Sequence, residues 1–434
     1  MAAGGLILGQ DRVKRDMITL SARPEDLEMP LTGFSDYITP VEHFFVRTHV
    51  YVPTVKLDEW RLDVAGEVAM PLTLSMDDIR KMPFTELIAV TECAGNGRAL
   101  YQPSVPGLQW TNGSVGNGRW RGVRLADVLR RAGIKSTAVD ILFDGADQPI
   151  GKMQDFRRSI PVKKALDPNT LLAYEMNGEA LPVKHGFPMR VITSGWASDS
   201  WVKWLTSITV VDKEWDGFWM KNAYRIPEHG VPPGTTLTPE QMRPVTSLKV
   251  KSIITTPPLA PRSYGGPTPM PGPIRGVAWA GDAGPVVGVD VSLDGRTWNP
   301  ATLQKNQETR FGWRQWEYST GGAAVYRVLA RARDAAGNTQ PLEQEWNPSG
   351  YLWNVAPTWG PGVPGGVPGP TQLPANLQSS CIGCHGQDVI QQQHLTRAQW
   401  DREITKMTNW GAQVKSEDRD LFLDYLTSNF GQRK

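Results

Sequence analysis

The sequence predicts a chain of three folded units: an α+β domain, an immunoglobulin-like β-sandwich and a small all-α domain at the C-terminus. The length of 434 residues exceeds what a single hydrophobic core usually organises, so two or three domains are expected. The 43 glycines, 35 prolines and 17 tryptophans favour turns, short strands and large aromatic contacts over a helical bundle. A proline- and glycine-rich run from Pro357 to Pro374 cannot form regular ladders, and a segment with helical periodicity follows it.

The balance of charge bears on the partners of the chain. It carries 46 lysines and arginines against 44 aspartates and glutamates, a formal net charge of +2, which gives no whole-chain case for binding nucleic acid. No stretch of the sequence is apolar for long enough to span a bilayer. We therefore expect no nucleic-acid partner and no membrane span.

Two of the three cysteines form a known motif. Residues 381–385 read Cys-Ile-Gly-Cys-His, which is the spacing of c-type haem attachment. The motif predicts a covalent haem c on Cys381 and Cys384, with His385 as an iron ligand, and it makes a disulfide framework unexpected. Because haem c is attached outside the cytoplasm, we expect a periplasmic protein. Residues 1–10 are then either the remnant of an export signal or an ordinary short strand.

The segments after the haem motif have helical periodicity from Ala398 to Met407 and from Ser416 to Phe430. Met407 precedes Trp410 and is placed like the distal methionine of small bacterial cytochromes c. A histidine and methionine pair of iron ligands raises the haem potential. The alternative for Met407 is a core methionine.

The third cysteine, Cys93, lies outside the haem motif. The apolar run from Leu87 to Val90 has the length of a buried strand, so Cys93 should leave that strand and open a loop. Gly95 and Gly97 in this loop let the backbone approach a ligand closely. A thiolate at this place would bind a soft metal. The alternative is a buried core cysteine, because free cysteine is among the most buried residue types.

The stretch Cys-Ala-Gly-Asn-Gly-Arg at residues 93–98 resembles the molybdenum-cysteine loop of the sulfite oxidase family. Further stretches match in the family's order, and together they extend over roughly residues 30 to 355: Phe44 to His49, Leu172 to Gly178, His185 to Arg190 and Val202 to Trp204. The resemblance implies a molybdopterin-bound molybdenum with Cys93 as its one protein ligand.

The resemblance also assigns residues to the pterin cofactor. These are Phe45, Val46, Arg47, Thr48, His49, Cys93, Asp147, His185, Arg190, Trp201, Val202 and Lys203. A pterin phosphate needs cationic and backbone donors, and Arg190 and Lys203 would supply the cations. Two assignments have plain alternatives: Asp147 follows an Asp-Gly turn, and a lone histidine such as His185 is more often a satisfied core residue.

Four residues are implied to be catalytic. Cys93 binds the metal, and Arg47 would contact an oxyanion substrate, although an exposed edge-strand arginine is the alternative. Arg98 lies five residues after Cys93, and its planar guanidinium suits a sulfur oxyanion. Tyr224 keeps the spacing of the family's active-site tyrosine from a preceding tryptophan, Trp219, and would hydrogen-bond to the oxyanion or to an oxygen on the metal. The alternative is that this aromatic segment only packs into the hydrophobic core at the end of the domain.

The sequence suggests five segments, with a boundary at the proline-rich stretch before residue 246. They are an N-terminal segment (1–30) that includes the possible export-signal remnant, a molybdopterin domain (31–243), an immunoglobulin-like domain (244–356), a linker (357–375) and a cytochrome c domain (376–434). Short strand candidates separated by turns fit the sandwich: Leu248 to Ile254, Ile274 to Trp279, Val286 to Leu293, Trp313 to Tyr318 and Val325 to Ala332. The family uses such a domain for dimerisation, so a homodimer is implied.

The resemblance implies oxidation of sulfite to sulfate by a sulfite dehydrogenase. Two electrons leave at molybdenum while haem accepts one at a time, and the linker raises the effective concentration of one centre at the other. An external c-type cytochrome would be the acceptor. Relatives that oxidise sulfite tend to have a further substrate arginine at the position assigned to Ala356, so a sulfane dehydrogenase acting on carrier-bound sulfur is an alternative. A reductase, like periplasmic methionine sulfoxide reductases, and a non-catalytic electron-transfer module are the others.

Overall fold

The computed structural model of the chain describes residues 12–256, 268–269, 272–322, 324–325, 327–359 and 373–432. Two segments that carry predictions lie outside the described residues. Residues 1–11 contain the predicted export-signal remnant, and residues 360–372 make up most of the predicted linker. Within the described part of the chain, no helix has the length and apolar character needed to cross a membrane.

Two five-stranded sheets build the first half of the chain. The first sheet is antiparallel, and its strands are, in order, Glu179–Ala180, Thr170–Met176, Val115–Arg124 and Phe84–Glu92, with Arg190–Thr193 paired to Thr170–Met176. The second sheet is mixed, and its strands are, in order, Leu72–Leu74, Leu62–Gly66, Leu205–Val211, Asp140–Gly145 and Arg158–Pro161. The predicted strand before Cys93 is confirmed.

The helix Leu125–Ala132 shares one core with the second sheet. Its buried side chains recur at helical spacing, so Leu125, Val128 and Leu129 form a single apolar face. They belong to the same buried cluster as Val64 of the sheet. The helix ends at Gly133 with φ of 69°, a left-handed conformation that glycine adopts without steric strain.

Two four-stranded antiparallel sheets form the predicted sandwich. The strands of one are Lys251–Thr256, Ile274–Trp279, Arg314–Tyr318 and Thr302–Leu303, and those of the other are Asn299–Pro300, Val286–Ser292, Val328–Asp334 and Thr358–Trp359. Alternate side chains of both sheets are buried between them, as in Val289, Val291 and Trp316.

The residues around Arg47, from Glu42 to Val50, do not form the edge strand that was the alternative for this arginine. Val41–His43 form a 3-10 turn, and Val46 makes only an isolated bridge to Leu27. Two residues after Val46, the backbone N–H of Thr48 donates to a side-chain oxygen of Asp26 at 2.9 Å and not to a backbone carbonyl oxygen of the neighbouring strand. The buried Asp26 carboxylate therefore accepts the hydrogen bond that a neighbouring strand would otherwise accept, and the strand pairing ends here.

The remaining elements before the C-terminal unit are short. Two-residue to five-residue strands pair as Ile18–Ala22 with Glu25–Glu28, Arg225–Ile226 with Arg243–Pro244 and Thr268–Pro269 with Ala324–Val325. The other α-helices here are Met76–Arg80, Val162–Ala165 and Phe218–Lys221. The other 3-10 turns are Leu31–Phe34, Arg98–Leu100, Val183–His185, Ser198–Ser200 and Pro239–Gln241.

Residues 373–432, called here the helical unit, have a core of their own. The helices are Ala375–Cys381, Asp388–Gln391, Arg397–Asn409 and Arg419–Asn429, with a 3-10 turn at Ser416–Asp418. A capping box in which Thr396 and Gln399 bond reciprocally starts the longest helix. Leu377, Trp400 and Phe422 are buried together. Both helical segments predicted after the haem motif are therefore present.

Candidate active site

Cys93 follows the strand Phe84–Glu92 and opens a loop, as the sequence indicates. Its N–H donates to the Ser114 carbonyl oxygen at 2.9 Å, and its own carbonyl oxygen accepts from the Asn96 N–H at 2.9 Å. The residue is only 9% exposed, and burial raises the pKa of the thiol although Arg47 opposes this effect. A thiolate at this place needs a cation beside the sulfur, and a coordinating metal deprotonates a thiol outright.

A cavity of about 70 Å³ lies beside Cys93. It brings together most of the residues that the resemblance assigns to the cofactor and substrate: Phe45, Arg47, Thr48, His49, Cys93, Asp147, His185, Arg190, Trp201, Val202, Lys203 and Tyr224. Val46 is not among its lining residues, because the backbone of Val46 pairs with Leu27 and its side chain is buried. Arg98 lines a larger neighbouring cleft that Cys93, Arg47 and Tyr224 also reach.

Two cationic side chains on one side of the cavity, Arg190 and Lys203, make no direct ion pair, although Asp147 lies in the same cavity. Arg190 donates to the carbonyl oxygens of His185 and Trp201 at 3.1 and 3.2 Å, and its Nε has no partner. Burial lowers the pKa of Arg190 to about 9. Burial, and then the nearby Arg190, lowers the pKa of Lys203 to about 7. The salt bridges found among the described residues include neither side chain. Because buried charges are normally paired, a ligand that carries negative charge fits here.

His185 is held as a neutral imidazole beside the same cations. Burial, followed by Lys14, lowers the pKa of His185 well below its usual range. Its Nε2 lies 2.7 Å from Lys14 Nζ, and an ammonium group can only donate. The ring proton therefore resides on Nδ1. No pattern in the sequence marked Lys14 as part of this site.

The donor set fits a phosphorylated pterin. Arg190, Lys203 and Lys184 would meet the phosphate, and the aromatic walls of Phe45 and Trp201 would flank the ring system. Cys93 supplies a sulfur ligand of the kind that a soft metal prefers.

Arg47 is held by a carboxylate that sequence reasoning missed. Its Nη1 lies 3.2 Å from Asp26 Oδ1, and Asp26 is 1% exposed. Burial raises the pKa of Asp26 to about 6, although Arg47 works in the opposite direction. The alternative of a free edge-strand arginine does not hold, since Arg47 is tethered at the cavity wall. Asp26 is one of three acidic residues in the strand Glu25–Glu28, and nothing in the sequence distinguished it from the other two.

Tyr224 and His49 form a hydrogen-bonded pair in the cavity. The Tyr224 hydroxyl lies 2.7 Å from His49 Nε2. Burial raises the pKa of Tyr224, and burial followed by Arg47 lowers the pKa of His49 well below its usual range. Both groups are therefore neutral near pH 7, with the ring of His49 stacked on Phe156 at 4.1 Å. A phenolic proton is available at this place for a bound oxyanion.

A buried ion pair supports this tyrosine and was also missed. Arg158 Nη2 lies 2.5 Å from Asp199 Oδ2, and both side chains are 1% exposed. Arg158 also lies over the Tyr224 ring, 5.2 Å from its centroid. Burial raises the pKa of Asp199 to about 6, against the effect of Arg158. The pair joins the strand Arg158–Pro161 to the 3-10 turn Ser198–Ser200, and its two residues are 41 positions apart in the chain, so no local pattern revealed it.

Arg98 projects towards the cleft, and its guanidinium donates to two backbone carbonyl oxygens. Its Nη1 donates to the Leu108 carbonyl oxygen at 3.0 Å, and its Nη2 donates to the Ser349 carbonyl oxygen at 3.4 Å. The guanidinium also lies over the Tyr351 ring, 4.9 Å from the centroid. Ser349 and Tyr351 both line the cleft. The residues after Trp346 therefore belong to the site, which the sequence did not indicate.

Ala356 is not at the site. It is 4% exposed, its N–H donates to the Pro341 carbonyl oxygen at 2.8 Å, and it is absent from the described lining of the cavity and the cleft. The prediction that position 356 is where a further substrate arginine would stand is therefore wrong. On this segment, Ser349 is the small residue that faces Arg98.

The cleft joins Cys93 to the haem motif. One side is lined by Arg47, Cys93, Arg98 and Tyr224, and the opposite side by Cys381, Cys384, His385 and Met407. Trp410 of the helical unit packs on Phe218 and Trp219, with ring centroids 5.8 and 6.2 Å apart. The helical unit thus covers the open side of the Cys93 site.

The side chains of the motif fit a haem. The Nδ1 atom of His385 lies 2.9 Å from the Gly386 carbonyl oxygen. Because a carbonyl only accepts, Nδ1 carries the proton and Nε2 keeps its lone pair, which is the form that ligates a metal. Cys381 and Cys384 are free, and burial raises the pKa of the Cys381 thiol to about 11.

Comparison with known proteins is consistent with this site. Residues 49–219 match the oxidoreductase molybdopterin binding domain, and residues 242–356 match the Mo-co oxidoreductase dimerisation domain. The fold and the site thus define a molybdopterin oxidoreductase. Sulfite oxidase of Gallus gallus is 34% identical over 352 residues, which are 76% of this chain and 75% of that protein. The chain belongs to the sulfite oxidase family.

Two further relatives are similar over most of the chain. Mitochondrial sulfite oxidase of Homo sapiens is 36% identical over 358 residues, which are 77% of this chain and 64% of that protein. The chain thus spans less than two thirds of the length of that enzyme. The crystal structure of the sulfane dehydrogenase SoxCD from Paracoccus pantotrophus superposes with a TM-score of 0.66 and 27% identity, covering 82% of this chain and 90% of that chain.

We expect cofactor-free protein to bind inorganic phosphate more weakly as the pH rises above 7. The ammonium form of Lys203 attracts the anion, and its pKa without an anion is about 7. A bound anion raises this pKa, so binding takes up a proton and is favoured at lower pH. From pH 8 to pH 9 the affinity should fall about tenfold, measured by titration calorimetry. In Lys203→Met the affinity at pH 8 should be lower and its pH dependence much weaker, whereas an unchanged dependence would exclude Lys203.

Proposed function

We propose that the chain oxidises sulfite to sulfate at a molybdenum centre held by Cys93. The electrons leave through a haem c in the helical unit to an external c-type cytochrome. The observation that carries this proposal is the shared cleft, lined on one side by Cys93, Arg98 and Tyr224 and on the other by Cys384 and His385.

Each side chain of the site has a role in this reaction. The molybdenum cofactor supplies the two-electron oxidation and the oxygen transfer to sulfur when it is bound. Arg47 and Arg98 bind the oxyanion by charge-assisted hydrogen bonds. With its ring proton on Nε2, neutral His49 donates to the phenolic oxygen of Tyr224 and holds that ring in place, so the single Tyr224 hydroxyl proton is donated to an oxygen of the anion. Cys93 is the protein ligand of the metal.

The helical unit then takes the electrons one at a time. Cys381 and Cys384 would hold a haem c, with His385 and Met407 as the ligands of its iron, and the haem would supply one-electron chemistry, so that each sulfite would require two transfers. The unit is packed against the first domain through Trp410 and Trp219. This contact keeps the two centres on one cleft, and the tether contributes a high effective concentration.

The cellular compartment, the electron acceptor and the oligomeric state are also part of the proposal. Haem c attachment favours a periplasmic protein that passes electrons to a small c-type cytochrome. The match of residues 242–356 to a dimerisation domain supports a homodimer that forms through the sandwich.

A sulfane dehydrogenase is the second candidate. Two observations favour it: the superposition on SoxCD covers 90% of that chain, and the segment Trp-Asn-Pro-Ser-Gly-Tyr-Leu-Trp at residues 346–353, which closes the cleft beside Arg98, has no cationic side chain. Fewer cations over the pocket would suit a sulfur atom carried on another protein.

Replacing Ser349 by arginine separates the two candidates. If free sulfite is the substrate, Ser349→Arg adds a charged donor beside Arg98 and should lower the Michaelis constant for sulfite about tenfold. The neutral control Ser349→Gln, of similar length, should not. Initial rates of cytochrome c reduction measure both. If wild-type protein fully loaded with molybdenum shows no sulfite turnover, free sulfite is excluded as the substrate and carrier-bound sulfur becomes the favoured candidate.

A further inference from the structure

Two glutamines of the helical unit form hydrogen bonds with the backbone beside Arg98. Gln393 Oε1 accepts from the Gly107 N–H at 3.2 Å, and Gln393 Nε2 donates to the Gly107 carbonyl oxygen at 3.1 Å. Gln392 Oε1 accepts from the Gln109 N–H at 2.8 Å, and its Nε2 donates to the Leu20 carbonyl oxygen at 2.8 Å. Both glutamines are 6% exposed. Residues 107–109, called here the docking turn, are thus clamped at both ends.

The middle residue of the docking turn holds the guanidinium. The carbonyl oxygen of Leu108 accepts from Arg98 Nη1 at 3.0 Å. Gly107 has φ of +114°, and a Cβ atom built on it would lie 2.7 Å from Arg98 Nη1. The guanidinium therefore lies directly on the backbone of the turn, which no residue larger than glycine would allow.

The other hydrogen bond of Arg98 is longer. Its bond to the Ser349 carbonyl oxygen is 3.4 Å long, and its Nε has no hydrogen-bond partner among the described residues. The Tyr351 ring packs on the guanidinium with its centroid 4.9 Å away, and the Leu108 carbonyl oxygen is the closest acceptor that fixes the direction of the N–H groups. The place of that oxygen is fixed on either side by a glutamine from the helical unit.

We propose that Gln392 and Gln393 are positioning residues for the anion site, so that docking of the helical unit sets the direction in which Arg98 presents its guanidinium. This inference rests on the proposed function, in which Arg98 binds the substrate oxyanion. It links the two halves of the reaction: the anion site is complete only when the unit that receives the electrons is in place. The link is carried by one turn of backbone, from Gly107 to Gln109.

Binding of sulfate, the product-type oxyanion, to the full-length cofactor-loaded protein tests the proposal. Gln393→Ala should weaken sulfate binding about 3- to 10-fold, and the Gln392→Ala, Gln393→Ala double variant should weaken it further. Titration calorimetry gives the dissociation constants, and the haem spectrum checks that the unit is intact. The matched control is Gln378→Ala, which removes an amide that bonds to the Leu373 carbonyl oxygen within the helical unit and should leave sulfate binding unchanged.

A double-mutant cycle shows whether the effect passes through the guanidinium. In an Arg98→Met background no guanidinium remains to be directed, so Gln393→Ala should no longer change sulfate affinity. A glutamine that only stabilises the helical unit would give the same fold-change in both backgrounds. Equal effects in the two backgrounds, no effect of Gln393→Ala in the wild-type background, or a wild-type protein that does not bind sulfate would each overturn the proposal.

The kinetics of sulfite oxidation separate this proposal from the proposed function. Gln393→Ala should raise the Michaelis constant for sulfite by the same factor as the sulfate dissociation constant and should change kcat less than about twofold. If the wild-type protein binds sulfate and shows the coupling between Gln393 and Arg98 but does not oxidise sulfite, the positioning role stands and the assigned substrate is wrong.

Discussion

Cys93→Ser should abolish the reduction of cytochrome c by sulfite while the haem spectrum stays intact. Cys93 is the only cysteine outside the haem motif, and serine offers a hard oxygen where a soft metal prefers sulfur. Loss of an outer partner of a metal ligand already lowers activity 10- to 100-fold in typical cases. Loss of the ligand itself should therefore lower the rate by roughly 100-fold or more.

The variant has its own internal controls. Arg190, Lys203 and His185, which would hold the pterin phosphate, are unchanged, so the pterin content of the purified protein should stay close to that of the wild type. Fluorescence of the oxidised pterin measures this content, and a pyridine-haem spectrum measures the haem. Turnover of Cys93→Ser at more than a tenth of the wild-type rate would remove Cys93 from the chemistry.

Lys251→Met should lower the free energy of unfolding much more than the nearby Lys249→Met. Lys251 belongs to the sandwich, and its Nζ lies 3.0 Å from Oε1 of Glu92, the residue before Cys93. The Lys251 and Glu92 side chains are 2% and 7% exposed. Trp279 Nε1 donates to the other carboxylate oxygen at 2.6 Å, and Asn96 Nδ2 donates to Oε1 at 2.8 Å. Removal of the cation leaves a buried carboxylate without a countercharge.

Breaking a buried pair in this way costs about 3 to 5 kcal/mol, which urea unfolding followed by tryptophan fluorescence would show as a lower free energy of unfolding. The matched control lies two residues away. Lys249→Met removes an exposed pair with Glu345, whose side chains are 37% and 60% exposed, so the loss should stay below about 1 kcal/mol. Equal losses in the two variants would contradict the structural role of Lys251. Because Glu92 precedes Cys93, the Lys251 variant should also retain less molybdenum.

Short motifs made part of the site predictable. Cys93, His185, Arg190 and Lys203 occur within runs whose residues are close in sequence, and such runs are read directly from the chain. The same holds for the helix Leu125–Ala132, whose apolar spacing and terminal glycine are local features.

Other parts of the site depend on contacts between distant segments. Asp26 binds Arg47, Arg158 binds Asp199, and Lys14 reaches His185. The residues of each pair are far apart in sequence, and only the fold brings them together. A buried ion pair of this kind can be predicted only from the three-dimensional arrangement.

One rejected alternative and one error have local physical causes. An exposed edge strand was the alternative setting for Arg47, but the Asp26 carboxylate takes the Thr48 N–H that a ladder would need. The substrate-facing position after the sandwich was assigned to Ala356, whereas the chain reaches the cleft earlier, at Ser349. Irregular segments without periodicity carry no signal for which residue points into a site.

Anaerobic mixing of the oxidised wild-type protein with sulfite, followed by the visible spectrum of the haem, tests the central claim most directly. If electrons pass from a centre at Cys93 across the shared cleft, the reduced haem bands should appear without any added carrier, and Cys93→Ser should show none. A wild-type haem that stays oxidised in excess sulfite, although molybdenum is fully loaded and dithionite reduces that haem, would contradict the claim.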